Sequence, residues 1–513
     1  METEHVIQAS EITRWRYVPA LLLLVASTTL FTGSSHAFDA PVAIEPVQLP
    51  DAKGYVPILM SDLPPFMADC ETKVTKSGKV PCHGLMATIN YTEFKKKEPS
   101  IKEEQLVLQP SDTGFQKEIP IRLIRQNGKA PLAVVLLGFG QKSDDKLARA
   151  WQSYLCDAGC HVLVFDSLVR NNMNEATNLG VAGNFVEETK AACKIVDASL
   201  ALKLADGKTL RDYATSVRVM GTSYGGLLAA QMLRSAQAKE WPLDRVLILS
   251  TPINMRTAAQ RLDTFSREDQ PFFGIFDLAK LLGGYTPKSE HPSPREERLM
   301  RAGIGYVFHG DLQGLAKSNM ERYDPTLPER LKGREENKEQ KAIYTEMVET
   351  LKQRQKAEMK EVESKKDSMD KEAYQKLKTD TEERHRVQEI IAKRQPSQID
   401  HWNFYDYVFL LLKPYWKLKH GDSSAVTLEQ MLRGAPNFVQ AFVAADDPLN
   451  DPKELEAMQT RLEPPALQVM PHGGHLGYTA TKWVEVLIHK VFEPGSTGAS
   501  TAPPTTTRNE GPN

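Results

Sequence analysis

A short motif flanked by glycines places a serine where it could act as a nucleophile. The pentapeptide Gly-Thr-Ser-Tyr-Gly at 221–225 follows a predicted strand at 217–220 and precedes a predicted helix that opens at Gly226. A serine on a sharp strand-to-helix turn presents its hydroxyl at the edge of a sheet, and flanking glycines let neighbouring backbone approach closely. The first amides of such a helix point at the reacting centre, where negative charge develops. Ser223 is therefore the predicted nucleophile.

A serine hydroxyl is a poor nucleophile until a base takes its proton, so this chemistry requires a histidine. The glycine-rich segment at 471–478, Pro-His-Gly-Gly-His-Leu-Gly-Tyr, supplies two, just before the last predicted helix. Two glycines before His475 and one after it suit a side chain delivered into a crowded site. His475 is the predicted base, and His472 is the alternative.

The histidine needs a carboxylate that holds it in the correct tautomer. Two adjacent candidates, Asp446 and Asp447, follow the apolar run at 438–445 and precede Pro448. Asp447 is preferred because a residue before proline is biased to an extended conformation. Asp446 remains the alternative. The chain order is serine, then acid, then histidine.

Two backbone amides are expected to bind the oxyanion that develops during acyl transfer. One is the amide of Tyr224, directly after the serine. The other comes from the turn Gly-Phe-Gly-Gln at 138–141, which follows an apolar run at 132–137. Phe139 is the predicted donor in that turn.

The elements that must position these residues alternate between strand and helix patterns. Strands are predicted at 106–108, 119–124, 132–137, 161–165, 217–220, 245–249 and 438–445, and helices at 146–158, 186–205, 226–237 and 481–491. Such alternation indicates a mainly parallel sheet flanked by helices. The break between 249 and 438 predicts an insertion within one sheet.

On these motifs the chain resembles the α/β-hydrolase superfamily, over about 105–325 and 437–492. The resemblance implies an eight-stranded, mostly parallel sheet, with the insertion as a large helical lid above the catalytic edge. One departure is Leu137, where many members carry histidine before the oxyanion glycine; backbone donors do not depend on it. The lid is the larger departure, and it leaves the substrate open.

The predicted domain organisation follows from composition and pattern. It comprises a signal peptide at 1–37, an irregular N-terminal extension at 38–102, the first part of the core at 103–325, a helical insertion at 326–436 with a charged hairpin at 335–394, the second part of the core at 437–493, and a disordered tail at 494–513.

The charged hairpin is predicted from pairs of apolar residues whose positions sum to 734 or 736, which suits antiparallel helices turning near Asp367 and Ser368. The pairs are Ile343 with Ile391, Met347 with Val387, Met359 with Leu377, and Val362 with Tyr374. Because the segment is mostly polar, it is expected to bind a protein partner or gate access, and not to hold the active site.

Export is predicted from the N-terminus. Arg14 and Arg16 precede an apolar run at 18–31, and small residues lead to a cleavage site after Ala37. The run is short for a spanning helix, so a removed signal is favoured over an uncleaved anchor. The body is expected in the periplasm or outside the cell, where disulfides form. Cys70 and Cys82 are close enough in sequence to close a short loop.

These features predict an exported serine hydrolase that cleaves a carboxylic ester through an acyl-Ser223 intermediate. Peptidase, thioesterase and acyltransferase activities share the same machinery. No cofactor or metal is expected, and a net charge of −2 does not suggest nucleic acid as a partner. The expected partner is a small-molecule or lipid ester. The alternative is a noncatalytic envelope protein that uses the fold as a platform and the hairpin as its arm.

Overall fold

The computed structural model describes residues 99–179, 182–235, 240–267, 355–392 and 426–493, with shorter stretches of 46–64, residues 74–75 and 78–79, and single helical residues within 300–315 and 349–353. Among them, 349–392 form one compact unit and the remainder form another.

The larger unit contains a sheet of eight strands and, apart from it, a short antiparallel pair of Val74–Thr75 with Gly78–Lys79. The eight strands of the main sheet are numbered here. Their bounds are β1 Glu103–Leu108, β2 Ile119–Ile124, β3 Ala130–Leu136, β4 His161–Phe165, β5 Ala214–Thr222, β6 Leu243–Leu249, β7 Val439–Ala444 and β8 Leu467–Met470. Their order across the sheet is β1-β2-β4-β3-β5-β6-β7-β8. β2 runs antiparallel to β1 and β4, and the other neighbours pair in parallel. This is the α/β-hydrolase arrangement, so the predicted fold class is confirmed.

Helices cover both faces of this sheet. The helices are α1 Pro110–Thr113, α2 Lys146–Asp157, α3 Asn171–Thr177, α4 Phe185–Ala201, α5 Leu210–Tyr213, α6 Tyr224–Met232, α7 Met255–Arg267, α8 Lys371–Ala392, α9 Leu428–Leu432, α10 Pro452–Gln459 and α11 Lys482–Phe492, and α8 belongs to the smaller unit. α2 and α11 pack on one face, and α4, α6 and α9 pack on the other. Because both faces are covered, β3, β4 and β7 are buried throughout. Their sequences are accordingly almost entirely apolar, with His161 in β4 and Gln440 in β7 as the polar exceptions.

The described residues of 46–64, here called the strap, pack against β7 and β8. The Tyr55 hydroxyl donates to Oε1 of Gln440 at 2.6 Å, and Nε2 of Gln440 donates to the carbonyl of Ile58 at 2.6 Å. Gln468 donates to the same carbonyl at 2.8 Å. The Arg245 guanidinium lies 3.7 Å over the Tyr55 ring. Part of the predicted irregular extension thus contributes buried polar contacts to the core.

Several predicted boundaries differ from the structure. β8 was not predicted, because it has only four residues and Gln468 interrupts its apolar run. The helix predicted at 186–205 ends at Ala201 because Leu202 is extended. The helix predicted from Gly226 already begins at Tyr224, and it ends at Met232 and not at Gln237.

Residues 355–392 form two helical stretches joined by a turn, of which α8 is the second. The Tyr374 hydroxyl donates to Glu363 at 2.7 Å, and Nε2 of Gln355 donates to the carbonyl of His385 at 3.1 Å. Contacts between residues near the turn and between residues far from it show that the stretches run antiparallel. The remainder of the predicted hairpin lies outside the described residues, and the role of the insertion as a lid remains a prediction.

Other predictions concern residues outside the described part of the chain, namely the signal peptide at 1–37, the Cys70–Cys82 loop and the tail at 494–513. The remaining cysteines, Cys156, Cys160 and Cys193, are buried and are not joined by disulfides. No helix among the described residues is both long and apolar enough to cross a bilayer.

Candidate active site

Ser223 lies on the sharp turn between β5 and α6. Its backbone adopts φ 52° and ψ −124°, a conformation that residues with a side chain rarely occupy. The Ser223 amide donates to the carbonyl of Leu249 at 2.9 Å, and the Gly226 amide donates to the carbonyl of Ser223 at 3.0 Å. The surrounding backbone therefore holds this residue, at the carboxyl edge of the sheet.

The glycines around the serine are required by close approach of backbone. A Cβ at Gly225 would lie 2.1 Å from the carbonyl oxygen of Leu136, and a Cβ at Gly221 would lie 2.5 Å from the carbonyl oxygen of Gly225. A Cβ at Gly226 would instead meet the hydroxyl of Thr251 at 1.7 Å. The glycine pattern is thus imposed by how tightly α6 packs against β3, β5 and the end of β6.

Three predicted side chains form a continuous line of hydrogen bonds. Ser223 Oγ lies 2.8 Å from Nε2 of His475, and Nδ1 of His475 lies 2.9 Å from Oδ2 of Asp447. The other carboxylate oxygen, Oδ1, accepts the amide of Leu449 at 2.9 Å. The three side chains come from residues that are 2–6% exposed. Each oxygen of the Asp447 carboxylate therefore has its own donor in a nearly dry site.

The loop that carries His475 is held in part by Ser250, a residue that the sequence analysis did not single out. Gly474 and Leu476, on either side of the histidine, have φ values of 57° and 61°. Ser250 Oγ accepts the Leu476 amide at 3.1 Å and donates to the Tyr478 hydroxyl at 3.1 Å. Ser250 follows β6, so the end of that strand anchors the loop. A hydroxyl at the carboxyl end of a core strand was the available sequence signal.

The alternative acid and base occupy different positions. Asp446 Oδ1 accepts the amide of Gly474 at 2.8 Å, and its Oδ2 lies 3.8 Å from Nδ1 of His472. His472 is substantially exposed. The structure thus pairs Asp446 with His472 beside the loop, whereas Asp447 and His475 stand in line with the serine.

The turn predicted to supply an oxyanion donor lies beside Ser223. The Gln141 amide donates to the Gly138 carbonyl at 3.3 Å, and the Gly138 amide donates to Oε1 of Gln141 at 2.7 Å. A Cβ at Gly138 would lie 3.2 Å from Cβ of Ser223. Phe139, in this turn, has its ring 6.0 Å from that of Tyr224 in an edge-to-face arrangement. Gly138 of this turn therefore borders the serine, and Phe139 contacts the residue that follows the serine.

A buried carboxyl group near the serine was missed by the sequence reasoning. Glu188 lies in α4 and accepts the Tyr224 hydroxyl at 2.6 Å. It occupies the helical face that also carries Phe185, Ala192 and Ile195, all of which are buried. A carboxylate at apolar helical spacing was the signal that could have identified it.

The arrangement can perform proton transfer and nucleophilic attack. A hydroxyl, an imidazole and a carboxylate in line can move the serine proton to the ring as the oxygen attacks a carbonyl carbon. Within the described part of the chain, no three His, Cys, Asp or Glu side chains group as metal ligands.

Comparison with solved structures finds esterases and a phospholipase. A membrane phospholipase A, described as a novel bacterial virulence factor, matches with 13% identity over 77% of this chain and 87% of its own, at a TM-score of 0.38. Est1E from Butyrivibrio proteoclasticus matches with 16% identity over 31% of this chain and 55% of its own, at a TM-score of 0.22. The esterase from the archaeon Pyrobaculum calidifontis matches with 15% identity over 43% of this chain and 65% of its own, at a TM-score of 0.24.

The match thus spans less than two thirds of either esterase. No protein-family model and no curated protein matches the sequence. The fold assignment therefore rests on the strand order of the chain itself.

Proposed function

We propose that the chain is an exported serine hydrolase that cleaves a carboxylic ester, or a related acyl bond, through a covalent ester on Ser223. The observation that carries the proposal is the line from Ser223 through His475 to Asp447, with contacts of 2.8 and 2.9 Å. An ionised carboxylate only accepts hydrogen bonds, so Asp447 keeps the imidazole proton on Nδ1. Nε2 then presents its lone pair to the serine hydroxyl.

Acylation begins when Ser223 Oγ attacks the carbonyl carbon and its proton passes to Nε2 of His475. The carbonyl π electrons move onto oxygen, and the amides of Tyr224 and Phe139 bind the resulting oxyanion. Each such donor typically contributes about 3–4 kcal/mol to transition-state stabilisation. The oxyanion collapses, the bond to the leaving group breaks, and Nε2 protonates the departing alcohol.

Deacylation repeats the sequence with water as the nucleophile. His475 takes a proton from water as its oxygen attacks the acyl carbon, and then returns a proton to Ser223 Oγ as the acid leaves. Asp447 stabilises the imidazolium in both halves. A small-molecule or lipid ester is the proposed substrate, and peptides, thioesters and other acyl acceptors pass through the same steps.

Labelling with a fluorophosphonate tests the assignment directly, because this reagent forms a stable adduct only with an activated serine. We expect one adduct, on the peptide that contains Ser223, and none in Ser223→Ala or His475→Gln. Ser216→Ala is the matched control, since Ser216 is a buried serine elsewhere on β5. An unlabelled wild-type protein with native circular dichroism would exclude the enzyme, and would favour a noncatalytic platform.

Export is supported by the basic, apolar and small-residue order of 1–37. Expression with a C-terminal tag in a bacterial host, followed by fractionation and intact mass, tests it. We expect a periplasmic or secreted species that begins at Phe38. An uncleaved species in the membrane fraction would show that the segment is an anchor.

The charged hairpin at 335–394 is the proposed partner-binding arm. Its described part is a compact helical pair with a largely charged, exposed surface. A variant that lacks 335–394 should keep labelling at Ser223 and lose the partner. Loss of activity on bulky esters alone would instead show that the segment is a lid.

A further inference from the structure

The buried carboxyl of Glu188 is a titratable group that the proposed mechanism does not use. Its residue is 0% exposed. Oε2 accepts the hydroxyl of Tyr224 at 2.6 Å, and Oε1 accepts the amide of Gly183 at 2.6 Å. The backbone of Asn184 also donates to this carboxyl. The groups that face it, among the residues described, are thus uncharged donors.

The charged neighbours on α4 are occupied elsewhere. Glu187, the preceding residue, pairs with Lys190 at 2.8 Å on the solvent side. From α6, the titratable group that reaches Glu188 is Tyr224. Among the side chains described, the Tyr224 phenol is therefore the group that donates a hydrogen bond to the Glu188 carboxyl.

Tyr224 connects Glu188 to the reacting centre. It follows Ser223 directly, so its backbone amide belongs to the proposed oxyanion hole. Its ring lies 6.0 Å from the ring of Phe139, at an interplanar angle of 80°, and 5.4 Å from the ring of Phe185. The side chains of the two proposed donor residues thus contact each other, and one is anchored to Glu188.

We propose that Glu188 is a positioning residue for the oxyanion hole. As a carboxylate it accepts the Tyr224 phenol, keeps that ring against Phe139, and so maintains the spacing of the two backbone amides. This inference rests on the proposed serine hydrolase function, and assigns to that site an anchor outside the triad.

Protonation of Glu188 should loosen this anchor. Burial raises the pKa of Glu188 to about 7, so the carboxyl changes charge close to neutral pH. A protonated carboxyl needs an acceptor for its own hydrogen. Gly183 and Asn184 offer amides here, so the phenol oxygen of Tyr224 must reverse its role and accept. The hydrogen bond to an ionised acceptor, which is the stronger kind, is then lost.

The variant Glu188→Gln tests the proposal because it is permanently neutral and nearly isosteric. Losing one oxyanion donor reduces kcat by about 10²–10³, and misplacing one should reduce it less, by about tenfold. We expect the wild-type to variant ratio of kcat to be about 10 well above pH 7 and to approach 1 well below it, with KM little changed. Because both proteins share the same triad, any pH dependence that arises from the triad is common to both and cancels in the ratio.

Two further variants make the result decisive. Tyr224→Phe removes the phenol, and the wild-type to variant ratio of kcat should again approach 1 at low pH. In the Tyr224→Phe background, Glu188→Gln should have no further effect. Glu187→Gln is the matched control on α4, and its ratio should remain near 1 at every pH.

A ratio for Glu188→Gln that is constant with pH would overturn the proposal, because a purely structural loss does not follow this titration. Full additivity with Tyr224→Phe would overturn it as well. If Glu188→Gln fails to fold, the pH dependence for Tyr224→Phe alone decides. Failure of the proposed function is distinguishable, since the wild-type protein would then lack fluorophosphonate labelling at every pH.

Discussion

Replacement of Asp447 by asparagine should remove nearly all activity, and the structure shows why the new side chain cannot compensate. Asp447 Oδ1 accepts the Leu449 amide, and Oδ2 accepts Nδ1 of His475. In Asp447→Asn, the amide oxygen can satisfy one of these two donors. If the NH2 group faced Leu449, two donors, this NH2 group and the Leu449 amide, would point at each other in a buried site, which is costly. The carboxamide should therefore turn its NH2 group toward Nδ1.

That orientation selects the wrong tautomer. Nδ1 of His475 must then accept, so its proton moves to Nε2 and points at the Ser223 hydroxyl, which can no longer transfer its own proton. Disruption of this kind lowers kcat by about 10⁴, equivalent to about 5.5 kcal/mol of activation free energy. Steady-state hydrolysis of an activated ester and the rate of fluorophosphonate labelling both measure it.

Asp446→Asn is the matched control, because its carboxylate accepts the Gly474 amide and an asparagine oxygen can do the same. We expect less than about a tenfold loss, since one hydrogen bond of this type contributes about 1 kcal/mol. If Asp446→Asn lost more activity than Asp447→Asn, the choice of acid would be wrong. If Asp447→Asn retained more than a tenth of wild-type kcat, the tautomer reasoning would fail.

Two further results are expected from stability measurements by urea unfolding. Gly225→Ala should destabilise the fold by about 3 kcal/mol or more, because its Cβ would clash with the Leu136 carbonyl. Gly226→Ala should be partly rescued by Thr251→Ala, since that clash is with a side chain. If Thr251→Ala rescued Gly225→Ala equally well, this account of the packing would be wrong. Burial raises the pKa of Glu188 from its ordinary 4.5 to about 7, so the folded protein holds this proton more tightly than the unfolded chain. The free energy of unfolding of the wild type should therefore fall by about 3 kcal/mol as pH rises through that interval, and then level off. If Glu188→Gln showed the same pH dependence, Glu188 would not be the group responsible.

The sequence anticipated the fold because its strongest signals are local. Mostly apolar, strand-like runs predicted seven of the eight strands, and the motif at 221–225 lay between a strand and a helix. β8 escaped because four residues with a central Gln468 carry little periodicity. Local pattern identifies elements well when they are long and uniformly buried.

The choice between adjacent candidate residues depended on tertiary geometry that local sequence patterns do not reveal. Asp446 and Asp447 are chemically equivalent, and only the path of the chain after β7 decides which carboxylate faces His475. Glu188 was overlooked because its role depends on Tyr224, which lies 36 positions further along the chain. Partnerships of this kind become visible only when α4 and α6 are side by side.

The contacts of the strap constrain the order in which the parts of the molecule can fold. Tyr55 and its partner Gln440 are 385 residues apart, and Met60 donates to Gln468 across 408 residues. A chain synthesised from its N-terminus therefore carries the strap without its hydrogen-bond partners Gln440 and Gln468 until β7 and β8 have been made. Closing so long a loop is entropically costly and must follow assembly of the sheet. The earliest segment of the core is thus among the last to reach its place, and a chain truncated before β7 would leave Tyr55 and Ile58 without the Gln440 and Gln468 side chains that hold them.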